Sequence, residues 1–196
     1  MNRVINFRWF LAYKFFNSLF LGLSIGTVFV LYTPLSPAVF SAGGIGLAVG
    51  TLLVATQYHK LFNPKWFFRV SMWVELLILA GIVGVLLLPI EQPLALFIYI
   101  GYQFTFTFGS YLVRCETLLI PEDGNLTRLD VAKQTGYLVG MAVSWAFYTA
   151  IETLWQLSDK AEQVVALHWP LLAVEFLIVV LLWQAFHRAP TAEVRG

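Results

Sequence analysis

The chain has 196 residues, of which 59% are hydrophobic and only 12% charged, with a formal net charge of +1. A soluble domain carries roughly twice that share of charge, so an ordinary soluble globular domain is excluded, and a near-neutral balance points to no nucleic-acid partner. Cys115 is the single cysteine, which rules out an internal disulfide.

Six stretches approach the roughly 20 apolar residues that a helix needs to cross a ~30 Å hydrocarbon core: 9–32, 38–59, 65–88, 92–114, 129–152 and 163–187. The runs are continuous, whereas barrel strands would alternate over about 10 residues. The expected fold is therefore all-α, a single six-helix membrane domain over 1–196. No small-residue cleavage site follows the first run, so it is expected to stay as an anchor.

Helix 1 carries Lys14, Asn17, Ser18 and Ser24 near one face, and Ser18, Gly22 and Gly26 recur every four residues. Helix 2 places Gly46 and Gly50 at the same spacing, which lets backbones approach closely. Helix 3 carries Glu75 about ten residues in. Helix 4 places Gln103, Thr107, Ser110 and Arg114 on one polar stripe. A turn is expected at Pro121-Glu122-Asp123-Gly124, with Asn125 or Thr127 capping helix 5. Helix 5 bears Gln134, Tyr137, Ser144 and Tyr148, with Gly136, Gly140 and Ser144 as its small residues. Helix 6 carries Glu175 at a depth equivalent to that of Glu75.

Lys and Arg prefer the cytoplasmic side of short loops. Arg3 and Arg8 precede helix 1, and Lys60, Lys65 and Arg69 surround the helix 2–3 loop. Arg114, Arg128 and Lys133 bracket the helix 4–5 loop, and Arg188 and Arg195 end the chain. Only Lys160 breaks the alternation. Both termini are expected in the cytoplasm. Trp9, Trp66, Trp155, Trp169 and Trp183 near helix ends fit an interfacial belt.

Three short matches recur in order. Tyr13-Lys14-Phe15 pairs with Tyr102-Gln103-Phe104, Gly46–Gly50 with Gly140–Ser144, and Val74-Glu75-Leu76 with Val174-Glu175-Phe176. The offsets grow from 89 to 94 to 100, as longer loops in the second half would give. They predict two three-helix repeats, about 1–90 and 91–190, of inverted topology.

On these repeats, and on the charged segment Arg114-Cys115-Glu116 through Arg128, Asp130 and Lys133 followed by Gly136-Tyr137-Leu138-Val139-Gly140, the chain resembles the N-terminal half of a major facilitator superfamily transporter. Its helix 2–3 loop carries basic residues, Lys60 and Lys65, without the family's acidic residue and glycines. The resemblance implies a cavity lined by helices 1, 2, 4 and 5, completed by a second six-helix half. A two-fold homodimer is the simplest closed solution. The expected function is half-size secondary transport of an unidentified small solute by alternating access.

Substrate-binding candidates are Lys14, Asn17, Gln103, Thr107 and Tyr148. Glu75 and Glu175 are proton-coupling candidates, since in-span carboxylates are costly; the alternative is a neutral acid bonded to a neighbouring helix. Lys14 either snorkels to the surface, pairs with a carboxylate or attracts an anionic solute. Arg114, Glu116, Arg128, Asp130 and Lys133 are candidates for a cytoplasmic gate or ion-pair network. His59, His168 and His187 lack ligand spacing, so no metal and no cofactor are expected. No nucleophile elbow, phosphate loop or zinc motif appears, and no enzyme is expected. The expected partners are the lipid bilayer, of a bacterial inner membrane, and a second copy. The competing reading is a non-transporting scaffold or one subunit of a hetero-oligomeric membrane complex.

Overall fold

The computed structural model describes residues 5–120 and 123–187. Among them the chain is all-helical, with no strand. The elements are α1 (Phe7–Ser24), α2 (Val28–Leu31), α3 (Pro37–Thr56), α4 (Tyr58–Leu61), α5 (Pro64–Leu87), α6 (Gln92–Thr107), α7 (Gly109–Leu119), α8 (Asp123–Trp155) and α9 (Lys160–His187). Arg3, Arg188, Arg195 and the Pro121-Glu122 part of the expected turn lie outside the described residues.

Local chemistry sets the starts. Asn6 caps α1 and Asn63 caps α5, each accepting a backbone N–H three residues on. Asp159 does the same for Glu162 ahead of α9. Prolines 37, 64 and 93 stand in first turns, where a missing N–H is harmless.

Three stretches expected to be continuous are broken. The first helix ends at Ser24 and resumes as α2, because Thr27 Oγ1 donates to the Ser24 carbonyl at 2.7 Å while its N–H takes the same acceptor at 2.9 Å. Hydroxyls that compete for helical carbonyls tighten or bend a helix in this way. The fourth breaks at Phe108, where Thr105 and Thr107 donate back to the carbonyls of Gly101 and Gln103. The second breaks at Gln57. The fifth starts earlier than expected, so Asn125 and Thr127 lie inside α8 rather than capping it.

Four helical stretches are long and apolar enough to cross a bilayer: α3, α5, the α6–α7 pair over 92–119, and α9. The chain is a membrane-embedded protein by that measure. The two remaining expected spans lie in α1, which carries Arg8, Lys14 and Asn17, and in α8, which carries Arg128, Asp130, Lys133 and Glu152; these side chains lower their hydropathy. At 1.5 Å per residue α8 is about 50 Å long, well beyond the hydrocarbon thickness, so part of it extends past the core.

Packing centres on α1. It lies along α8 and also contacts α9; α5 packs on α9 and α6, and α3 pairs with α6. The α1–α8 seam is a backbone-to-backbone contact. A Cβ at Gly22 would strike the Tyr137 carbonyl, one at Gly136 the Phe15 carbonyl, and one at Gly140 the Leu19 carbonyl. Ser144 closes the seam by donating to the Leu23 carbonyl at 3.0 Å. The small residues of the first and fifth stretches thus serve packing within one chain. Gly46 meets nothing, and α3 buries none of its residues. An aromatic core of Phe10, Phe67 and Phe186 closes one end of the bundle.

Candidate functional site

Inside the bundle α1, α5 and α9 bring two carboxyl groups together. Glu75 stands near the middle of α5 and Glu175 near the middle of α9, and both are buried. Tyr13 of α1 donates its hydroxyl to Glu75 Oε1 at 2.7 Å. One turn along, the Asn17 amide donates to the same oxygen at 3.1 Å and to Oε2 at 3.4 Å. Lys14 adds a positive field from the same helix, and Glu175 faces Glu75 closely enough for the two to interact.

Glu175 is furnished differently. Among the described residues no donor reaches either of its oxygens. Tyr102 of α6 lies within its electrostatic reach. Each glutamate is thus approached by a tyrosine, Tyr13 for Glu75 and Tyr102 for Glu175. Ser71 Oγ, one turn before Glu75, is also buried without a partner. His168, two turns before Glu175, is buried and bonds the Val164 carbonyl at 2.7 Å.

Lys14 links this centre to an ion-pair cluster. Its ammonium is 2.6 Å from Glu116 Oε2, and Lys133 reaches Glu116 Oε1 at 2.7 Å. Lys133 also approaches Asp130 at 3.5 Å. Phe10, Tyr13 and Phe67 surround the Lys14 ammonium at 5.3–5.8 Å from their ring centroids, a placement that adds cation–π attraction. The series runs from the buried carboxyls through Lys14 and Glu116 to Lys133 and the exposed Asp130.

The expected site residues divide accordingly. Lys14 is buried and paired with Glu116, and Asn17 donates to Glu75. Glu116, Asp130 and Lys133 form the expected cluster, but Arg114 and Arg128 do not join Glu116 or Asp130. Arg114 lies over the Tyr58 ring at 5.9 Å and Arg128 over Phe7 at 5.7 Å. The stripe on the fourth stretch is interrupted at Phe108, leaving Ser110 and Arg114 exposed. Gln103 and Thr107 stay together on α6, with Thr107 against Gly50 of α3. Tyr148 stands apart on α8, beside Gly26. Gln103 Oε1 and the Tyr148 hydroxyl are both buried without partners.

Sequence reasoning missed Tyr13, Tyr102, Ser71 and His168. The tyrosines were visible only as members of the repeated tripeptide. A small cavity of about 30 Å³, room for one or two waters, is lined by Ser24, Thr27, Tyr102, Thr105 and His168 among apolar side chains. It reaches the Glu175 helix through His168 and Leu171. No group of three or more His, Cys, Asp or Glu side chains able to hold a metal occurs among the described residues. No family model, no curated protein and no solved structure matches the chain.

Proposed function

We propose that the chain is one six-helix half of a proton-coupled secondary transporter for a small solute, working by alternating access as a homodimer, with both termini cytoplasmic in a bacterial inner membrane. The observation that carries this reading is the pair of buried glutamates meeting at mid-helix. An ionisable group costs about 2.5–3.5 kcal/mol at the bilayer centre even on insertion scales. Packing alone would be better served by leucine, so two such groups in contact favour a role in proton handling.

The packing lends support to the inverted repeats and to the resemblance to half a major facilitator. Exchanging α1 with α6–α7, α3 with α8, and α5 with α9 turns each principal contact into another: α1–α8 becomes α6–α3, α1–α9 becomes α6–α5, and α5–α9 maps onto itself. The same exchange carries Tyr13 and Glu75 onto Tyr102 and Glu175. A second copy would cover the unburied α3, and Gln103 and Tyr148 would give a solute unpaired polar atoms.

The test is flux. In proteoliposomes enclosing a pH-sensitive dye, one class in a panel of amino acids, sugars and organic acids should accelerate collapse of an imposed proton gradient. Glu75→Gln with Glu175→Gln should abolish that acceleration, and Gln103→Ala with Thr107→Ala should reduce it without preventing insertion. Proton leak independent of every solute, or flux unchanged by the glutamate pair, sinks the reading. The bare surface of α3 equally suits a different protein as partner, which is the scaffold or hetero-oligomer reading. The mass of the complex extracted in native lipid discs separates the two.

A further inference from the structure

We infer that the two glutamates form a site for a single proton, with Glu175 as its seat and Glu75 as its ionised, fixed acceptor. The inference assigns the chemistry within the proton-coupled reading and rests on that reading only for its purpose in transport.

The geometry leaves few protonation states. With both carboxyls ionised, two like charges would face each other in an apolar interior, and Glu175 would have no donor for either oxygen. With the proton on Glu75 and the charge on Glu175, the buried anion would have a single donor, the Glu75 O–H, while the Tyr13 hydroxyl and the Asn17 amide would be spent on a neutral acid. With both protonated, the positive field of Lys14 would have lost the charge it faces at Glu75. With the proton on Glu175 alone, its O–H donates to a Glu75 oxygen. Glu75 then keeps its charge among the Tyr13 hydroxyl, the Asn17 amide and Lys14. The shared arrangement titrates as a pair.

The surroundings from every packed element agree. From α1 come Tyr13, Lys14 and Asn17; from α5, Ser71; from α6, Tyr102; from α7, Glu116 through its hold on Lys14; and from α9, His168 two turns away. Lys14 is the cation that acts on Glu75, and Glu116 shares it. Release sends the Glu175 proton to water and changes the pair's charge from minus one to minus two. Lys14 is then drawn toward the pair and away from Glu116. Proton loss at the buried centre is thereby communicated to the ion-pair cluster.

A metal cation fits less well. Tyr13 and Asn17 present hydrogens, not oxygen lone pairs, to Glu75 and occupy the acceptor positions that a cation would need.

Infrared difference spectroscopy of the full chain in lipid discs, in water and in deuterium oxide, reads the carboxylic-acid C=O stretch directly. The wild type should show the amplitude of one buried protonated acid, with a deuterium shift. Glu175→Gln, which preserves size and a donor, should abolish the band, while Glu75→Gln should retain it. Sodium in place of potassium at constant pH should leave it unchanged. A wild-type amplitude of zero or of two acids overturns the inference, with no variant needed. So does a band that survives Glu175→Gln, or one that sodium removes. A one-acid band without solute-evoked flux leaves this assignment standing and sinks the transport reading; flux without the band does the reverse.

Discussion

Glu75 and Glu175 each stand buried near the middle of a long helix, α5 and α9, yet their surroundings differ. Around Glu75, α1 supplies a hydroxyl, an amide and an ammonium group. Around Glu175, α6 supplies Tyr102 and no hydrogen bond. Two positions on the tyrosine helices differ: Asn17 stands four residues after Tyr13, whereas Phe106 stands four after Tyr102. Lys14 follows Tyr13, whereas the neutral Gln103 follows Tyr102. Two near-equivalent carboxyls would compete for one proton; placing the cation beside one of them breaks the tie. On the repeat proposed above, the two carboxyls are counterparts, and the residues beside their tyrosines set them apart.

The largest test of this asymmetry removes the partner that anchors Lys14. Glu116→Gln leaves a buried ammonium facing an amide in place of a carboxylate. Breaking a buried pair from one side costs about 3–5 kcal/mol. Lys133, with a quarter of its side chain exposed, can turn to water, so the loss falls mainly on Lys14. Unfolding in mild detergent should register a destabilisation of that order, and adding Lys14→Met should recover most of it. A change below about 1 kcal/mol would mean that Lys14 is not committed to Glu116 and that the charged side of the centre is weaker than its geometry.

A smaller effect separates the two tyrosines. Interhelical hydrogen bonds in membrane proteins average about 0.6 kcal/mol and reach about 1.7. Tyr13→Phe removes a short bond to Glu75 and should lie near the upper value; Tyr102→Phe removes no bond to Glu175 and should lie near or below the average. Equal losses would erase the comparison.

Much of this centre was legible in the sequence only one element at a time. Glu75 and Glu175 stood out because charge inside an apolar run has few neutral explanations. That they meet was not readable, since it depends on how α5 and α9 cross. Lys14 offered three fates, and the choice among them depended on Glu116, which arrives from α7. The helical class followed from the apolar runs, but the breaks after Ser24 and at Phe108 did not. There hydroxyls take carbonyls from the helix ladder, a local competition that hydropathy does not register. The small residues at spacing four mark close helix approach, within one chain or across a dimer. The structure assigns Gly22, Gly136 and Gly140 to one seam, while Gly46 faces open space. Sequence spacing marks where a backbone can approach but does not name what approaches it.

The smallest expected effect is at the outer end of the ion-pair series. Asp130 is three-quarters exposed at its side chain and stands 3.5 Å from Lys133, three residues along the same helix. Such pairs are screened by water and salt and are worth about 0.2–0.5 kcal/mol. Asp130→Asn should therefore change stability by no more than about 0.5 kcal/mol, with the difference vanishing at high salt. The comparison with Glu116→Gln is informative because both changes remove one carboxylate from the same series of charges. If the Asp130 variant were as costly as the Glu116 variant, the series would act as one cooperative network reaching the surface. A gap of several kcal/mol would instead confine the energetics to the buried Lys14–Glu116 contact, where a change of charge at Glu75 and Glu175 is felt.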